Sequence, residues 1–219
     1  MVIELIRWMS TEFGFKASFR PMNFSDAVSE VREGRTDAMT GLFYSAERDT
    51  YLDFTPHMFT IPAVIFVKAD RPDIRDLQGL TDKMIAIPRS DYASEFLRMK
   101  RIPHSVKPAA TFQEAADLVM QGQADALIGD EQTVLYYLYS RGLGSRLKRV
   151  GEPLYEGKYC FGVKEGNRIL RGILEKGLSM ARERGVLDSL QAKWTGTYFP
   201  KTAEIYSGTP LRFSFCWLC

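Results

Sequence analysis

The chain has 219 residues, 45% of them hydrophobic, and carries 29 lysines and arginines against 27 aspartates and glutamates. Such a composition belongs to a globular protein of one or two domains with a sizeable core, and it excludes a disordered chain. The near balance of interspersed charges argues against a basic nucleic-acid-binding protein. A membrane span needs about 20 apolar residues. The longest convincing apolar run covers residues 61–67, so no span is predicted.

Apolar spacing and turn residues predict helices that alternate with short strands. In chain order the predicted elements are a helix from residue 24, strands over 38–42 and 59–67, a polar connector over 69–73, a strand over 84–87, a helix over 91–100, a helix from 112 with a strand over 126–128, a half-buried aromatic helix over 134–140, a strand over 156–163, and helices over 167–184 and 186–194. The helix over 167–184 is amphipathic. Its inward residues are predicted to be Ile169, Leu170, Ile173, Leu174, Leu178 and Ala181.

An internal repeat is the most informative feature of the chain. One copy runs from Phe24 to Gly41 and the other, 88 residues later, from Phe112 to Gly129, both in the pattern F-x-[DE]-A-x3-V-x2-G-x2-D-A-x2-G. Each copy predicts a helix, a glycine that ends it in the left-handed conformation, and a buried strand. Two copies predict two similar α/β lobes. Because ligands bind beyond the carboxyl ends of such strands, residues 41–48 and 129–131 are expected on facing walls of one cleft.

The cysteines and histidines give no sign of a metal or redox centre. Cys160 lies in an apolar stretch and is predicted to be a small core residue. Cys216 and Cys219 form a C-x-x-C at the extreme C-terminus without a second ligand pair, so we interpret it as incidental rather than as a zinc or redox motif. His57 and His104 are isolated. We therefore expect neither a metal nor a cofactor, and no phosphate-binding loop or nucleophile motif is present.

The order of the motifs resembles that of the family 3 bacterial solute-binding proteins, which are amino-acid-binding proteins with the type II periplasmic-binding fold. Residues 37–48 (DAMTGLFYSAER) and 51–56 (YLDFTP) resemble the first-lobe signature of that family, residues 124–130 (ADALIGD) its second-lobe counterpart, and residues 190–194 (LQAKW) its closing helix. The resemblance runs from about residue 2 to residue 198. It implies two α/β lobes, each a mixed sheet flanked by helices, joined by a two-strand hinge. Residues 1–67 and 157–199 would form lobe one and residues 68–156 lobe two, with an irregular tail over 200–219.

The same resemblance implies a binding site. Arg48 would hold the α-carboxylate of the ligand, since guanidinium binds carboxylate through two parallel hydrogen bonds, and Asp130 would hold its α-ammonium. Ser90 and Asp91 lie at a helix start, where backbone N–H groups and the helix dipole favour an anion. The first-lobe wall would be formed by Gly41, Leu42, Phe43 and Tyr44. No catalytic residue is assigned.

Structural alternatives stand beside these assignments. Arg48 lies between two acidic residues and could be a solvated surface charge. Asp130 precedes a helical segment and could serve as its N-cap. Residues 90 and 91 could likewise cap the next helix, and Phe43 and Tyr44 could belong to the core or the cleft wall. Tyr136, Tyr137 and Tyr139 are interpreted as packing residues.

Two departures from the family pattern affect these expectations. Amino-acid-binding members carry a small hydroxyl residue five positions before the arginine, where this chain has Phe43, so the ligand need not be a standard amino acid. Met1 falls at the family's first helix, so the first strand and the signal peptide that precede it are expected to be missing. The tail over 201–219 is expected to replace native sequence.

The leading functional hypothesis is capture of a small solute, an amino acid or related carboxylate, by hinge closure. A membrane permease of an ABC transporter or a signalling domain would be the partner, on the periplasmic or extracellular side, and residues 129–137 look closer to the sensor branch of the family. One alternative is a dehydratase of the cyclohexadienyl type, for which Asp130 and Glu131 are the acidic candidates. Another is an incomplete fragment that binds nothing.

Overall fold

The computed structural model describes residues 1–195, which form helices packed on both faces of one curled sheet. The helices are α1 (Val2–Phe13), α2 (Phe24–Glu33), α3 (Tyr92–Met99), α4 (Phe112–Met120), α5 (Glu131–Ser140), α6 (Arg168–Glu183) and α7 (Val186–Thr195). The strands are β1 (Ala38–Phe43), β2 (Leu52–Phe54), β3 (Phe59–Lys68), β4 (Lys83–Pro88), β5 (His104–Ala109), β6 (Ala126–Asp130) and β7 (Leu147–Lys164). Short 3₁₀ turns cover Arg48–Thr50 and Gln78–Leu80.

The strands run in the order β1-β7-β3-β6-β4-β5, and β2 also pairs with β7. The long antiparallel pair β3–β7 extends from Phe59 opposite Tyr159 to Lys68 opposite Leu147. One end of this pair carries β1 and β2, and the other carries β6 with its parallel neighbours β4 and β5. We call the part with β1, β2, α1, α2, α6 and α7 the first half, and the part with β4–β6 and α3–α5 the second half. The predicted α/β fold, with two strands joining two units, is confirmed.

Each half buries a hydrophobic core on both faces of its sheet. In the second half, alternate residues of β3 face opposite sides: Val64 and Phe66 pack under α4 and α5, and Ile65 and Val67 pack under α3. In the first half, one core joins α1, α6 and α7 to the sheet, and a smaller one joins α2 to β1 and β2. This period-2 alternation is what a sheet covered on both faces requires.

The internal repeat folds as predicted. The first copy forms α2 and β1, and the second forms α4 and β6. Gly34 and Gly122 adopt φ angles of 77° and 76°, in the left-handed region. The same backbone hydrogen bonds end both helices at equivalent positions, namely Gly34 N–H to Val31 O, Thr36 N–H to Glu30 O, Gly122 N–H to Val119 O and Ala124 N–H to Leu118 O.

Several boundaries and facings differ from the prediction. Strand β7 is 18 residues long, far longer than the predicted return strand over 156–163, because its first part pairs with β3 in the second half. On α6, Ile169 is 81% exposed and Ile173 is 39% exposed, so their predicted inward facing is wrong. The helix packs on α1 through Gly177, where an added Cβ would lie 2.9 Å from Met9 Sδ. Both isoleucines lie at the edge of this packing surface.

The remaining side-chain predictions have mixed outcomes. Cys160 is buried, as predicted for a core residue, and burial raises the pKa of its thiol to about 11. Tyr137 packs and donates a hydrogen bond to Asp117, but Tyr136 is 71% exposed, so a packing role for Tyr136 is wrong. Cys216, Cys219 and the predicted tail lie outside the described residues. Throughout residues 1–195, every helix is too short or too polar to span a bilayer.

Candidate functional site

A small cavity of about 40 Å³ lies where the two halves meet. Its lining combines one guanidinium and two carboxyl groups with aromatic rings. The lining residues are Phe24, Gly41, Phe43, Arg48, Asp91, Phe112, Asp130 and Tyr159. Five of the eight residues predicted for the site are among them, and they come from both halves.

Arg48 lies on the wall of the first half, in the turn that follows β1. It is 5% exposed, which excludes a solvated surface charge. Its Nη1 donates to Phe43 O at 2.7 Å, its Nη2 donates to Ser90 O at 2.8 Å, and the guanidinium lies 5.4 Å from the ring centre of Phe24. The backbone N–H of Arg48 donates to Ser45 Oγ at 3.2 Å. A guanidinium has five N–H donors, and the carbonyls of Phe43 and Ser90 engage two of them.

Asp130 ends β6 in the second half and is 3% exposed. It occupies the N-cap position of α5, but its side chain makes no capping hydrogen bond, so the capping alternative does not describe its role. Its Oδ2 instead accepts a hydrogen bond from the Tyr159 hydroxyl of β7. Burial, reinforced by the nearby charge of Asp91, raises the pKa of this carboxyl to about 7.

Asp91 combines a capping role with a place in the cavity lining. Its Oδ1 accepts a hydrogen bond from Ala93 N–H at 2.9 Å and caps α3. Burial raises the pKa of its carboxyl, and the hydrogen bond from Ala93 and the positive charge of Arg48 offset part of that rise. Asp91 and Asp130 therefore place two carboxyl groups in the same cavity lining as one guanidinium.

The other three predicted residues do not contribute side chains to the lining. Ser90 is exposed, has a φ of 63°, and reaches the site through its carbonyl, which accepts from Arg48. The Leu42 side chain is 1% exposed and belongs to the core beneath α2. Tyr44 is 50% exposed, with its ring edge-on to Phe54. Ligand contacts by Leu42 and Tyr44 side chains would therefore need a rearrangement of this wall.

Three aromatic residues of the lining were missed by the sequence prediction. Phe24 and Phe112 are equivalent positions of the repeat, each at the start of a helix, and both line the cavity. The repeat could have indicated these two residues, because two repeat copies that face each other bring equivalent positions to the same cleft. Tyr159 lies on β7 and had no sequence signal of its own.

The last glycine of each repeat copy lies against one of these rings. An added Cβ would lie 2.8 Å from the Tyr159 ring at Gly41 and 2.8 Å from the Phe112 ring at Gly129. Gly41 also has a φ of 74° at a register shift in the β1–β7 pair. Both glycines are therefore required by close approach of an aromatic side chain to the strand.

The second acidic candidate for catalysis lies elsewhere. Glu131 forms an ion pair with Arg149 at 2.7 Å and is not part of the cavity lining. Asp130 and Asp91 are the carboxyl groups that line the cavity. Among residues 1–195, no three histidine, cysteine or acidic side chains gather in a metal-binding cluster.

Solved structures of the type II periplasmic-binding class share this architecture. The chain superimposes on a histidine kinase sensor domain similar to periplasmic binding proteins with a TM-score of 0.83 at 25% identity, covering 89% of this chain and 85% of that one. An ancestral arginine-binding protein bound to glutamine gives a TM-score of 0.81 at 26% identity, covering 89% and 86%. The predicted type II fold is confirmed.

Residues 1–197 match the family model for bacterial extracellular solute-binding proteins, family 3, and the chain belongs to that family. The amino-acid-binding protein AabA of Dichelobacter nodosus is 26% identical over 199 residues, covering 87% of this chain and 77% of that protein. The virulence sensor protein BvgS of Bordetella bronchiseptica is 26% identical over 188 residues, covering 83% of this chain but 15% of the sensor. The family is one of solute-binding proteins, and a protein described as an ABC transporter-binding protein as well as sensor proteins are among the relatives of this chain.

Proposed function

We propose that this chain binds a small zwitterionic solute, an amino acid or related carboxylate, in the cavity between its two halves. The observation that supports this proposal most strongly is that Arg48 and Asp130 line one cavity from opposite halves. Both residues are more than nine-tenths buried. Buried charges are costly unless they are paired. A ligand carboxylate on Arg48 and a ligand ammonium on Asp130 would complete both pairs at once and would draw the halves together.

Binding would then stabilise the closed arrangement of two proposed lobes, residues 1–67 plus 157–199 and residues 68–156, of which residues 196–199 lie outside the described part of the chain. We propose that a membrane partner on the periplasmic or extracellular side recognises the closed conformation. This partner is either the permease of an ABC transporter or a signalling domain. Relatives of both kinds support this pair of alternatives. A membrane span or kinase encoded in continuity with the chain would favour the sensor, and a neighbouring permease gene would favour transport.

Binding without chemical turnover is part of the proposal. A structural neighbour at 22% identity is an ancestral amino-acid-binding protein described as a precursor of cyclohexadienyl dehydratase, and that likeness concerns the fold. Of the two acidic residues considered for such chemistry, Glu131 is engaged by Arg149. Release of a dehydrated product from a cyclohexadienyl acid would contradict this part of the proposal.

The first test is a thermal melt against a panel of amino acids and small carboxylates. A ligand present at about 100 times its dissociation constant adds roughly 2.7 kcal/mol to the free energy of unfolding. At about 2–4 °C per kcal/mol for a chain of this size, we expect a rise in Tm of several degrees that disappears in Arg48→Ala. Arg98→Ala is the matched control, because Arg98 is an exposed arginine near the same cleft.

Two outcomes would contradict the proposal. One is a cooperative melt that no member of the panel shifts. The other is a shift that persists unchanged in Arg48→Ala. Isothermal titration of the best ligand with both variants distinguishes a lost site from a ligand that merely binds more weakly.

A further inference from the structure

Phe43 lines the cavity beside Arg48, Asp91 and Asp130, and its ring is enclosed by aromatic side chains. Its side chain belongs to the first half and is 7% exposed. Three tyrosine rings surround it at nearly perpendicular angles, with ring centres at 4.9 Å for Tyr159, 6.1 Å for Tyr155 and 6.2 Å for Tyr92. Such edge-to-face contacts are the favoured geometry for aromatic pairs, so the ring is held firmly in place.

The backbone of β7 is shaped to receive this ring. At Gly157 an added Cβ would collide with the Phe43 ring, and the ring fills the space that a side chain would take. The Phe43 carbonyl is fixed as well, because it accepts the hydrogen bond from Arg48 Nη1. The ring and the ligand-holding guanidinium are therefore parts of one rigid arrangement.

The cavity that Phe43 lines is small. Its volume is about 40 Å³, and a cavity that holds one water molecule has a volume of about 10–15 Å³. The cavity therefore holds about three to four water-sized groups, so that even glycine, with five non-hydrogen atoms, fills it. A branched or aromatic ligand side chain needs more space than this, and the Phe43 ring is one of the side chains that fill it.

Resting on the proposed function, we propose that Phe43 sets the size limit of the ligand and restricts this site to the smallest zwitterions, of the glycine and alanine class. Phe43 acts here by exclusion, and Arg48 and Asp130 supply the attraction. The ring selects by removing volume that larger ligands need, which is specificity against competitors. The carboxylate and ammonium contacts are common to all amino acids and cannot discriminate among them.

The test compares isothermal titrations of the wild-type protein and Phe43→Ala with glycine, alanine, leucine and phenylalanine. In the wild type we expect affinity to fall at least about 100-fold from glycine to leucine, because an excluded side chain prevents closure. In Phe43→Ala we expect leucine to gain at least about tenfold. Phe54→Ala is the control, since Phe54 packs on Tyr44 outside the cavity, and its ranking of ligands should match that of the wild type.

Gly157→Ala provides a second readout that needs no ligand. In the wild type the added methyl group meets the Phe43 ring, so we expect a lower Tm. In the Phe43→Ala background the space is free, and the same substitution should be tolerated. This non-additivity is the signature of direct contact. If Phe43→Ala fails to fold, Phe43→Leu serves in its place, with a smaller gain for leucine.

The possible failures are distinguishable. Equal binding of leucine and glycine by the wild type overturns the size limit but leaves the proposed function standing. An unchanged ranking of ligands in a folded Phe43→Ala protein has the same meaning. If none of the four probes binds either protein, the restriction to glycine and alanine is overturned, and the thermal melts against the full panel decide whether the proposed function stands. If Gly157→Ala lowers Tm equally in both backgrounds, the fit between ring and glycine is refuted.

Discussion

At the scale of single residues, Asp130 makes the clearest prediction because its carboxyl is buried away from any described positive partner. An unfolded aspartate has a pKa of about 3.9, and burial raises that of Asp130 to about 7. Between these values the folded state holds more protons than the unfolded state. The free energy of unfolding therefore falls as pH rises from about 4 to 7, and the whole penalty is present above pH 7.

We expect Asp130→Asn to remove this penalty. Its amide oxygen can still accept the hydrogen bond from Tyr159, so the ligand-free variant should be more stable than the wild type by about 1–3 kcal/mol at pH 8. The gain should shrink towards zero near pH 4. Thermal melts of both proteins across this pH range provide the measurement, and a gain independent of pH would contradict the explanation.

The same substitution should abolish the binding of glycine, because the neutral amide cannot pair with an ammonium. In the wild type, glycine must displace a proton from Asp130 below pH 7. Its affinity should therefore weaken by up to about tenfold per pH unit as pH falls from 7 to 5. Asp130 would thus lower the stability of the folded protein while contributing to ligand binding, a trade-off that is common at functional positions.

The residues of the site differed in how far sequence could predict them. Arg48 and Asp130 were identified from motif order, and both line the cavity. Phe24 and Phe112 were recorded as repeat positions, but nothing in a single copy says that two copies face each other through those rings. The position of Phe43 over Gly157 depends on β7, whose register with β1 joins segments more than 100 residues apart.

At the scale of the elements, the glycine that ends each repeat controls how closely a ring approaches a strand. In Gly129→Ala the new methyl group would lie 2.8 Å from the Phe112 ring and 3.2 Å from Val134 Cγ2. Overpacking of this kind costs about 1–3 kcal/mol. We expect a corresponding fall in the free energy of unfolding, measured by urea denaturation, together with weaker ligand binding as Phe112 shifts in the cavity.

Gly172→Ala is the matched control for that substitution. Gly172 lies in α6 with no atom within 4 Å of an added Cβ. Alanine is favoured over glycine inside a helix by about 0.8–1 kcal/mol, so this variant should be more stable than the wild type. A Gly129→Ala protein as stable as Gly172→Ala would show that the Phe112 ring moves aside without cost. Glycine would then not be required at position 129 by the approach of that ring.

Elements were predicted best where local pattern and tertiary context agree. The repeat helices and strands combine a period of 3.6, a left-handed glycine and a buried strand, and they fold as expected. The edge strand β5 has mixed burial and contains Pro108, so it carries no clean alternation and was not predicted. The extension of β7 was missed because its polar first part is a strand through pairing with β3, which local sequence does not encode.

At the scale of the whole molecule, two polar contacts join the turn that follows β1 to the second half across the cleft. Arg48 Nη2 donates to Ser90 O, and Arg98 pairs with Glu47 at 2.8 Å on the outside. The outer pair is exposed and worth little. The Arg48–Ser90 bond is different, since it joins a buried guanidinium, which otherwise donates to Phe43 O in its own half, to the second half. Closure should therefore depend on Arg48 even before a ligand completes the site.

Small-angle X-ray scattering measures this dependence directly. A compact chain of this length has a radius of gyration of roughly 17 Å, and we expect the wild type to approach that value when saturated with glycine. Arg48→Ala should give a larger radius that glycine does not reduce, because the variant lacks both the bridge to Ser90 and the carboxylate partner. Arg98→Ala should close like the wild type.

A wild-type radius that stays constant while titration shows glycine binding would contradict closure. The cavity would then be a preformed site on a rigid protein, and a membrane partner could not sense occupancy through the angle between the halves. If instead the radius falls with glycine in the wild type and Arg98→Ala but not in Arg48→Ala, one buried arginine both binds the ligand and transmits its presence. That result would explain why its guanidinium is anchored by carbonyls from each half.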